Sequence, residues 1–182
     1  VNGPVKVIVH NAAKPLSGRA RSGGGRESDT WASGGTLDLS GVNTFTSALT
    51  LSNQSQLVIS GAGQLGSGSY AGNITMNQGT DFTYASSADQ TLSGIIDDDG
   101  TGNGSNDVNV SGSGTLTLTG TNTYTGSTNI NDGATLEFTN SEALGTGLVR
   151  LNGGGELQFG ANALDLSENV RVQNNGADRT IR

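Results

Sequence analysis

Residues 35–45 read GTLDLSGVNTF, and residues 114–124 read GTLTLTGTNTY. The similarity continues without a shift in register, so that residues 35–68 correspond to residues 114–147. An internal copy of this kind is typical of repeat proteins, in which each unit stacks on its neighbour because it cannot bury its apolar face alone. The internal repeat 35–68/114–147 therefore predicts a solenoid.

Short runs of alternating apolar and polar residues recur along the chain and predict β-strands with one apolar face. Gly, Asn, Asp and Ser separate the runs, as expected of turns, and no amphipathic helical stretch of convincing length interrupts them. The runs lie at residues 36–39, 48–51, 56–59, 73–76, 81–84, 108–110, 115–118, 135–138, 148–151, 156–159, 164–166 and 170–172.

A solenoid also explains the composition, because stacked coils need only a thin apolar core. Hydrophobic residues make up 32% of the chain and aromatic residues 4%, whereas 30 residues are glycine. An antiparallel sandwich or barrel would contain similar short strands, but the long internal copy favours a coil. We therefore predict an all-β solenoid over residues 35–182. An irregular basic lead-in over residues 1–34 precedes it, and residues 5–9 are a candidate strand of a preceding coil.

The charges are unevenly distributed, and this distribution bears on possible partners. The net charge is −7, yet the first 26 residues carry five basic side chains and no acidic one, and no Lys or Arg follows before Arg150. An acidic stretch of this length repels phosphate backbones, which excludes nucleic acid as a partner of the repeats. The chain has no cysteine, which excludes disulfides and thiolate metal sites, and no segment is apolar enough to span a bilayer.

Residues 114–136 read GTLTLTGTNTYTGSTNINDGATL and resemble the passenger-associated transport repeat of bacterial autotransporters. Residues 35–57 give a second copy, with Phe45 in place of the tyrosine and Ser47 in place of the second glycine. The motif positions are Leu116, Leu118, Gly120, Asn122, Tyr124, Gly126, Gly133 and Leu136.

The resemblance implies a right-handed parallel β-helix that is exported to the surface of a Gram-negative bacterium. Passengers of this family are commonly adhesins, self-association factors or stalks. It also implies that this chain is a fragment of a longer stack, with a signal peptide and a C-terminal outer-membrane barrel expected in the full-length protein.

The motif residues have simple structural interpretations. The two leucines at the start of the motif point into the coil, while Gly120 and Gly126 allow backbone conformations that are barred to other residues. Asn122 caps its turn or forms a ladder with an asparagine of the next coil, and Tyr124 covers a corner of the coil. These are roles in the fold and involve no chemistry.

One acidic loop is a candidate metal site. Asp97, Asp99, Asn103 and Asp107 lie in a Gly-rich stretch, and closely spaced carboxylate and amide oxygens are the ligands that Ca²⁺ prefers. Their spacing matches neither an EF-hand loop nor a repeated β-roll motif. The alternative is a solvated turn. No other cofactor is predicted.

Catalysis is not predicted. His10 is the only histidine and lies in the lead-in, so a nucleophile–histidine arrangement has no base within the repeats. A glycosidase would need two carboxylates that face each other across a cleft, and the outward acids Asp38, Asp132, Glu137 and Glu156 give no sign of converging. A carbohydrate-active β-helix is kept as an alternative. Ice binding would need threonines at the same place in successive coils, and the sequence does not supply them.

We therefore expect a surface passenger that acts in adhesion or bacterial self-association through many weak contacts. Its partner would be a host surface, a sister-cell passenger or a carbohydrate. The competing interpretation is a passive stalk that presents another domain. The candidate contact residues are Thr50, Thr75, Thr83, Thr115, Thr117, Asn109 and Asn129.

Overall fold

The computed structural model describes residues 35–182 except Asn53, Asp99, residues 101–105, Asp132, residues 161–171 and residues 175–179, together with short strands at residues 16–17 and 29–30. Eighteen β-strands lie in the described residues, and the only helical element among them is a 3-10 turn at Gly66–Gly68. No helix in this part of the chain is long and apolar enough to cross a membrane.

The strands form three sheets, named here faces 1, 2 and 3. Face 1 contains β1 Leu16–Ser17, β3 Thr36–Leu39, β5 Gln56–Gly61, β8 Asp81–Ser86, β11 Val108–Val110, β13 Thr128–Ile130, β15 Val149–Leu151 and β17 Val172–Asn174. Face 2 contains β6 Ser69–Tyr70, β9 Gln90–Leu92, β12 Thr115–Leu118, β14 Thr135–Phe138, β16 Glu156–Phe159 and β18 Thr180–Ile181. Face 3 contains β2 Asp29–Thr30, β4 Leu49–Leu51, β7 Ile74–Met76 and β10 Ile96–Asp98.

The chain winds from face 1 to face 2 to face 3 and returns one layer higher, as in the succession β8, β9, β10 and β11. Every strand pairing is parallel. Paired residues are 20 to 26 positions apart, as in Val108 with Thr128 and Phe82 with Val108. The predicted parallel β-helix is confirmed, and a right-handed coil is what the general preference of parallel crossover connections leads us to expect.

The core is a narrow column of stacked apolar side chains inside the coil. Inward and outward residues alternate along the strands, as in β3, β12 and β14, because successive side chains of a strand point to opposite faces. On face 1, Leu57, Phe82 and Val108 are paired in successive layers and are fully buried. Each such apolar side chain contributes about 1.5–3 kcal/mol by leaving water, so a thin core repeated over many layers stabilises the stack.

Strand pairing begins earlier than the predicted boundary at residue 35. β1 pairs with β3, and β2 pairs with β4, so two short strands fall inside the predicted irregular lead-in. Such two-residue strands carry too little alternation to be recognised from sequence. The candidate strand at residues 5–9 and His10 lie outside the described residues.

The two copies of the repeat occupy different faces. The strands of the first copy, β3, β4 and β5, lie on faces 1, 3 and 1. Those of the second copy, β12, β13 and β14, lie on faces 2, 1 and 2. The second copy is therefore displaced by one face, because the interval between the copies is not a whole number of coils.

Candidate functional site

Each copy of the repeat contains an extended segment between its first two strands. We call residues 40–47 the first corner and residues 119–126 the second corner. Leu116 and Leu118, which were predicted to point into the coil, are fully buried, and so is Leu136. Neither corner contains a named strand.

Asn122 is the central residue of the second corner and is only 4% exposed. Its Oδ1 accepts a hydrogen bond from the Ile96 N–H at 2.7 Å, and its Nδ2 donates to the Ala143 carbonyl at 2.5 Å. The expected cap or asparagine ladder is therefore replaced by a side chain that bonds the backbone of both neighbouring coils. Asparagine ladders exist elsewhere: Asn129 donates to Asn109 at 2.9 Å, and Asn152 donates to Asn131 at 2.8 Å.

Tyr124 fills the inside of the second corner and is fully buried. Its hydroxyl lies 2.6 Å from Thr128 Oγ1, which in turn donates to the Leu144 carbonyl at 3.2 Å. Burial raises the pKa of the Tyr124 hydroxyl above its ordinary value, and the hydrogen bond to Thr128 opposes this rise. In the first corner Phe45 takes the equivalent place and contacts the Tyr70 ring edge-on, with ring centroids 5.9 Å apart.

The predicted role of two motif glycines is wrong. Neither Gly120 nor Gly126 has a positive φ, whereas Gly133 does, at +77°. Gly120 is required for space: a Cβ there would collide with the Gly94 carbonyl of the preceding coil. The following coil lies close to Gly126, because a Cβ on Gly147 would collide with the Gly126 carbonyl.

The acidic residues near the candidate Ca²⁺ loop lie on different faces. Asp97 belongs to β10 on face 3, and its Oδ1 is buried without a hydrogen-bond partner. Asp107 precedes β11 on face 1 and accepts hydrogen bonds from the Ser127 N–H at 2.7 Å and Asn129 at 3.3 Å. Asp99 and Asn103 lie outside the described residues. Within the described ranges, no three His, Cys, Asp or Glu side chains come together to hold a metal, so the Ca²⁺ site stays a prediction.

Aspartates that join successive coils are a feature that sequence reasoning missed. Asp98 accepts hydrogen bonds from the N–H and the hydroxyl of Thr125 at 2.6 and 2.7 Å. Asp89 accepts from the Thr115 N–H at 2.8 Å, and Asp81 accepts from the N–H of Asp107 at 2.9 Å. Each carboxylate thus satisfies a backbone donor of the following coil.

Burial has an electrostatic consequence for Asp107. Desolvation raises the pKa of its carboxyl, and the nearby negative charge of Asp81 adds to the rise. The hydrogen bonds from Ser127 and Asn129 and the positive charge of Arg150 lower it. The net direction is upward, so the folded protein holds a proton on Asp107 more firmly than an exposed aspartate would.

The outward side chains form polar rows that run across the strands. On face 1, Thr83, Asn109 and Asn129 are paired in successive coils, and on face 3, Thr50 pairs with Thr75. On face 2 the outward rows pair Thr115 with Thr135, and Thr117 with Thr91 and Glu137. The predicted contact residues are thus distributed over all three faces and are only partly buried.

The outward acids considered for catalysis do not form one cluster. Asp38 lies on face 1 and accepts a hydrogen bond from the Ser60 hydroxyl at 2.5 Å. Glu137 and Glu156 lie in neighbouring strands of face 2, where Thr117 donates to Glu137 at 3.2 Å and Arg182 lies 3.4 Å from Glu156. Asp132 lies outside the described residues.

The fold defines a β-solenoid whose polar rows surround a thin core. Two of its segments, residues 32–53 and 109–138, match the passenger-associated-transport-repeat family. These two segments are therefore similar to the passenger-associated transport repeats of autotransporters, which confirms the resemblance found in the sequence, and the repeat together with the solenoid fits an autotransporter passenger domain. This family implies secretion to the surface of a Gram-negative bacterium. Neither the curated proteins nor the solved structures contain a significant match.

Proposed function

We propose that this passenger segment acts in adhesion or bacterial self-association without catalysis, through its outward polar rows. The observation that supports the proposal is the register of those rows. Thr83, Asn109 and Asn129 occupy equivalent outward places in consecutive coils, at the spacing of roughly 4.8 Å that separates neighbouring strands.

Repeated spacing favours a multivalent contact. A single exposed threonine or asparagine exchanges a hydrogen bond with water for one with a partner and contributes little. A partner with a matching repeat, such as a second copy of the solenoid or a polysaccharide, engages many such groups at once, and the linked contacts reinforce one another. We infer that the binding surface extends along the solenoid axis and is not confined to a pocket.

Charge substitutions on the rows test this proposal in bacteria that display the full-length protein. Thr83→Lys on face 1 and Thr117→Lys on face 2 each place a long cation in a row without touching the core. We expect each to weaken aggregation or host-cell adhesion, and the double variant to weaken it further. Gln78→Lys is the matched control, because Gln78 is exposed at a turn and belongs to no strand.

Surface display of every variant is quantified with an antibody, so that a loss of binding is separated from a loss of export. If aggregation and adhesion are unchanged in all variants at equal surface display, the proposal is wrong and the segment is a passive stalk. Release of sugar from a polysaccharide by the purified protein, abolished by Glu137→Gln or Glu156→Gln, would instead establish a carbohydrate-active enzyme.

A further inference from the structure

The two repeat corners lie at places where a sheet begins or ends. Face 3 ends at β10 in the described residues, and the second corner lies directly over the free edge of β10. Among the strands that the structure describes, face 2 begins at β6, and the first corner lies in the coil before it, joined by a single isolated bridge between Val42 and Gln64. Each corner therefore occupies the place that one further strand of the sheet would take.

The second corner provides hydrogen-bond partners for the free edge of β10 from both backbone and side-chain groups. The Thr123 N–H donates to the Ile96 carbonyl at 3.0 Å, as a neighbouring strand would. The Ile96 N–H, however, donates to the side chain of Asn122, and Asp98 accepts from Thr125. Two side-chain oxygens thus supply contacts that regular pairing would take from the backbone alone, so the edge is closed without a strand.

The same corner also fixes the coil above it. Asn122 N–H donates to the Glu142 carbonyl at 2.8 Å, its Nδ2 donates to the Ala143 carbonyl, and the Thr146 N–H donates to the Tyr124 carbonyl at 2.9 Å. The buried amide of Asn122 is therefore bonded on both sides, and a shift of either neighbouring coil by one residue would break the bond to that coil.

The first corner repeats the upper half of this arrangement on another face. Asn43 corresponds to Asn122; its N–H donates to the Gln64 carbonyl at 2.8 Å, and its Nδ2 reaches the same carbonyl at 3.2 Å. The Ser67 N–H donates to the Asn43 carbonyl at 3.0 Å. In both corners the asparagine Nδ2 thus donates to the corresponding carbonyl of the following coil, while the backbone partners differ, and Asn43 Nδ2 also donates to the Gly41 carbonyl at 2.8 Å.

We propose that the passenger-associated transport repeat is a sheet terminator that functions on any face of the solenoid, with its asparagine holding the adjoining coils in register. The device addresses two hazards of stacked strands. A free strand edge invites pairing with another chain, and a strand with repetitive polar and apolar alternation is prone to slip in register.

Amide hydrogen exchange on the folded protein tests the proposal residue by residue. Asn122→Ala should lower protection at the Ile96 amide by about tenfold or more, with smaller losses at Thr123 and Thr146, because the edge of β10 opens locally. Amides of β5 and β8 should keep their protection. Asn129→Ala is the matched control, since it removes an outward ladder asparagine from the same coil and should leave the Ile96 amide unchanged.

Two further variants separate the two halves of the device. Asn122→Asp keeps the acceptor for the Ile96 N–H and loses the donor to Ala143, so Ile96 should remain protected even if Asn122→Ala does not fold. Asn43→Ala should lower protection at Ser67 and leave Ile96 unchanged. Equal losses on all three faces in Asn122→Asp, or full protection of Ile96 in a folded Asn122→Ala, would overturn the proposal.

Discussion

Two fully buried threonines differ in the bonding of their hydroxyl groups. Thr128 Oγ1 lies between the Tyr124 hydroxyl and the Leu144 carbonyl, whereas Thr80 Oγ1 has no hydrogen-bond partner. A buried hydroxyl without a partner is destabilising, and one with two partners is costly to remove.

This difference predicts opposite effects of the same substitution. Thr128→Val should lower the free energy of unfolding by about 1–3 kcal/mol, because it removes the hydrogen-bond partner of the buried Tyr124 hydroxyl. Thr80→Val should raise it by about 1 kcal/mol, because it removes a buried polar group at almost constant volume. Urea unfolding of both variants measures the two values. Destabilisation of similar size in both would mean that the Thr80 hydroxyl is bonded after all.

Asp107 predicts a pH dependence of stability. Its pKa is raised in the folded state, so the folded state binds a proton more tightly, and this residue lowers stability as the pH rises from the unfolded pKa through the folded pKa. Asp107→Asn keeps an oxygen acceptor for the Ser127 N–H and removes this dependence. The variant should therefore gain stability relative to the natural protein on going from below pH about 3 to near pH 7.

Urea unfolding at both pH values measures the relative change. Asp89→Asn is the control, because Asp89 also accepts a backbone N–H but is exposed, so it reports the effect of removing one negative charge from the surface. A gain of equal size in the two variants would show that net charge, and not the burial of Asp107, is responsible.

At the scale of the repeat unit, one motif glycine has two different surroundings. Gly120 lies against the Gly94 carbonyl, whereas its counterpart Gly41 has nothing within 4 Å of an added Cβ. Neither glycine has a positive φ. Glycine at this motif position is therefore required for space in the second corner, whereas in the first corner there is room for a side chain.

Alanine substitutions should reveal this asymmetry. Gly120→Ala should destabilise the protein by about 1–3 kcal/mol, because the backbone of the preceding coil has to move. Gly41→Ala should be neutral or stabilising by up to about 1 kcal/mol, because alanine restricts the unfolded chain. Thermal unfolding of the two variants checks the order, which would be contradicted if Gly41→Ala were the more harmful change.

The strands were predictable from sequence, and the contacts between coils were not. Alternation such as Leu116 and Leu118 with threonines between them fixes which side chains face inward, because this follows from strand geometry alone. Asp98 bonds Thr125 across 27 positions, and its partner depends on coil lengths that vary from 20 to 26 residues. Neither those lengths nor the face on which a repeat lies can be derived from the local pattern.

At the scale of the whole molecule, the strands that the structure describes pair with those of the coils directly before and after them, so stability is built from nearest-neighbour terms. Leu57→Ala should lower the free energy of unfolding locally by about 2–5 kcal/mol. Amide protection should fall in β3, β5 and β8, which pair in sequence, and persist in β14 and β16. A uniform loss of protection along the chain would show that the solenoid unfolds as a single cooperative unit.

The parallel stacking of the strands also determines how the molecule responds to mechanical load. The hydrogen bonds between layers run along the solenoid axis, and no cysteine is present to cross-link them. Tension applied along the axis would therefore be carried by all layers at once, and the terminal coils, which pair with only one neighbour, would open first. Such a molecule would lengthen in steps of one turn under force.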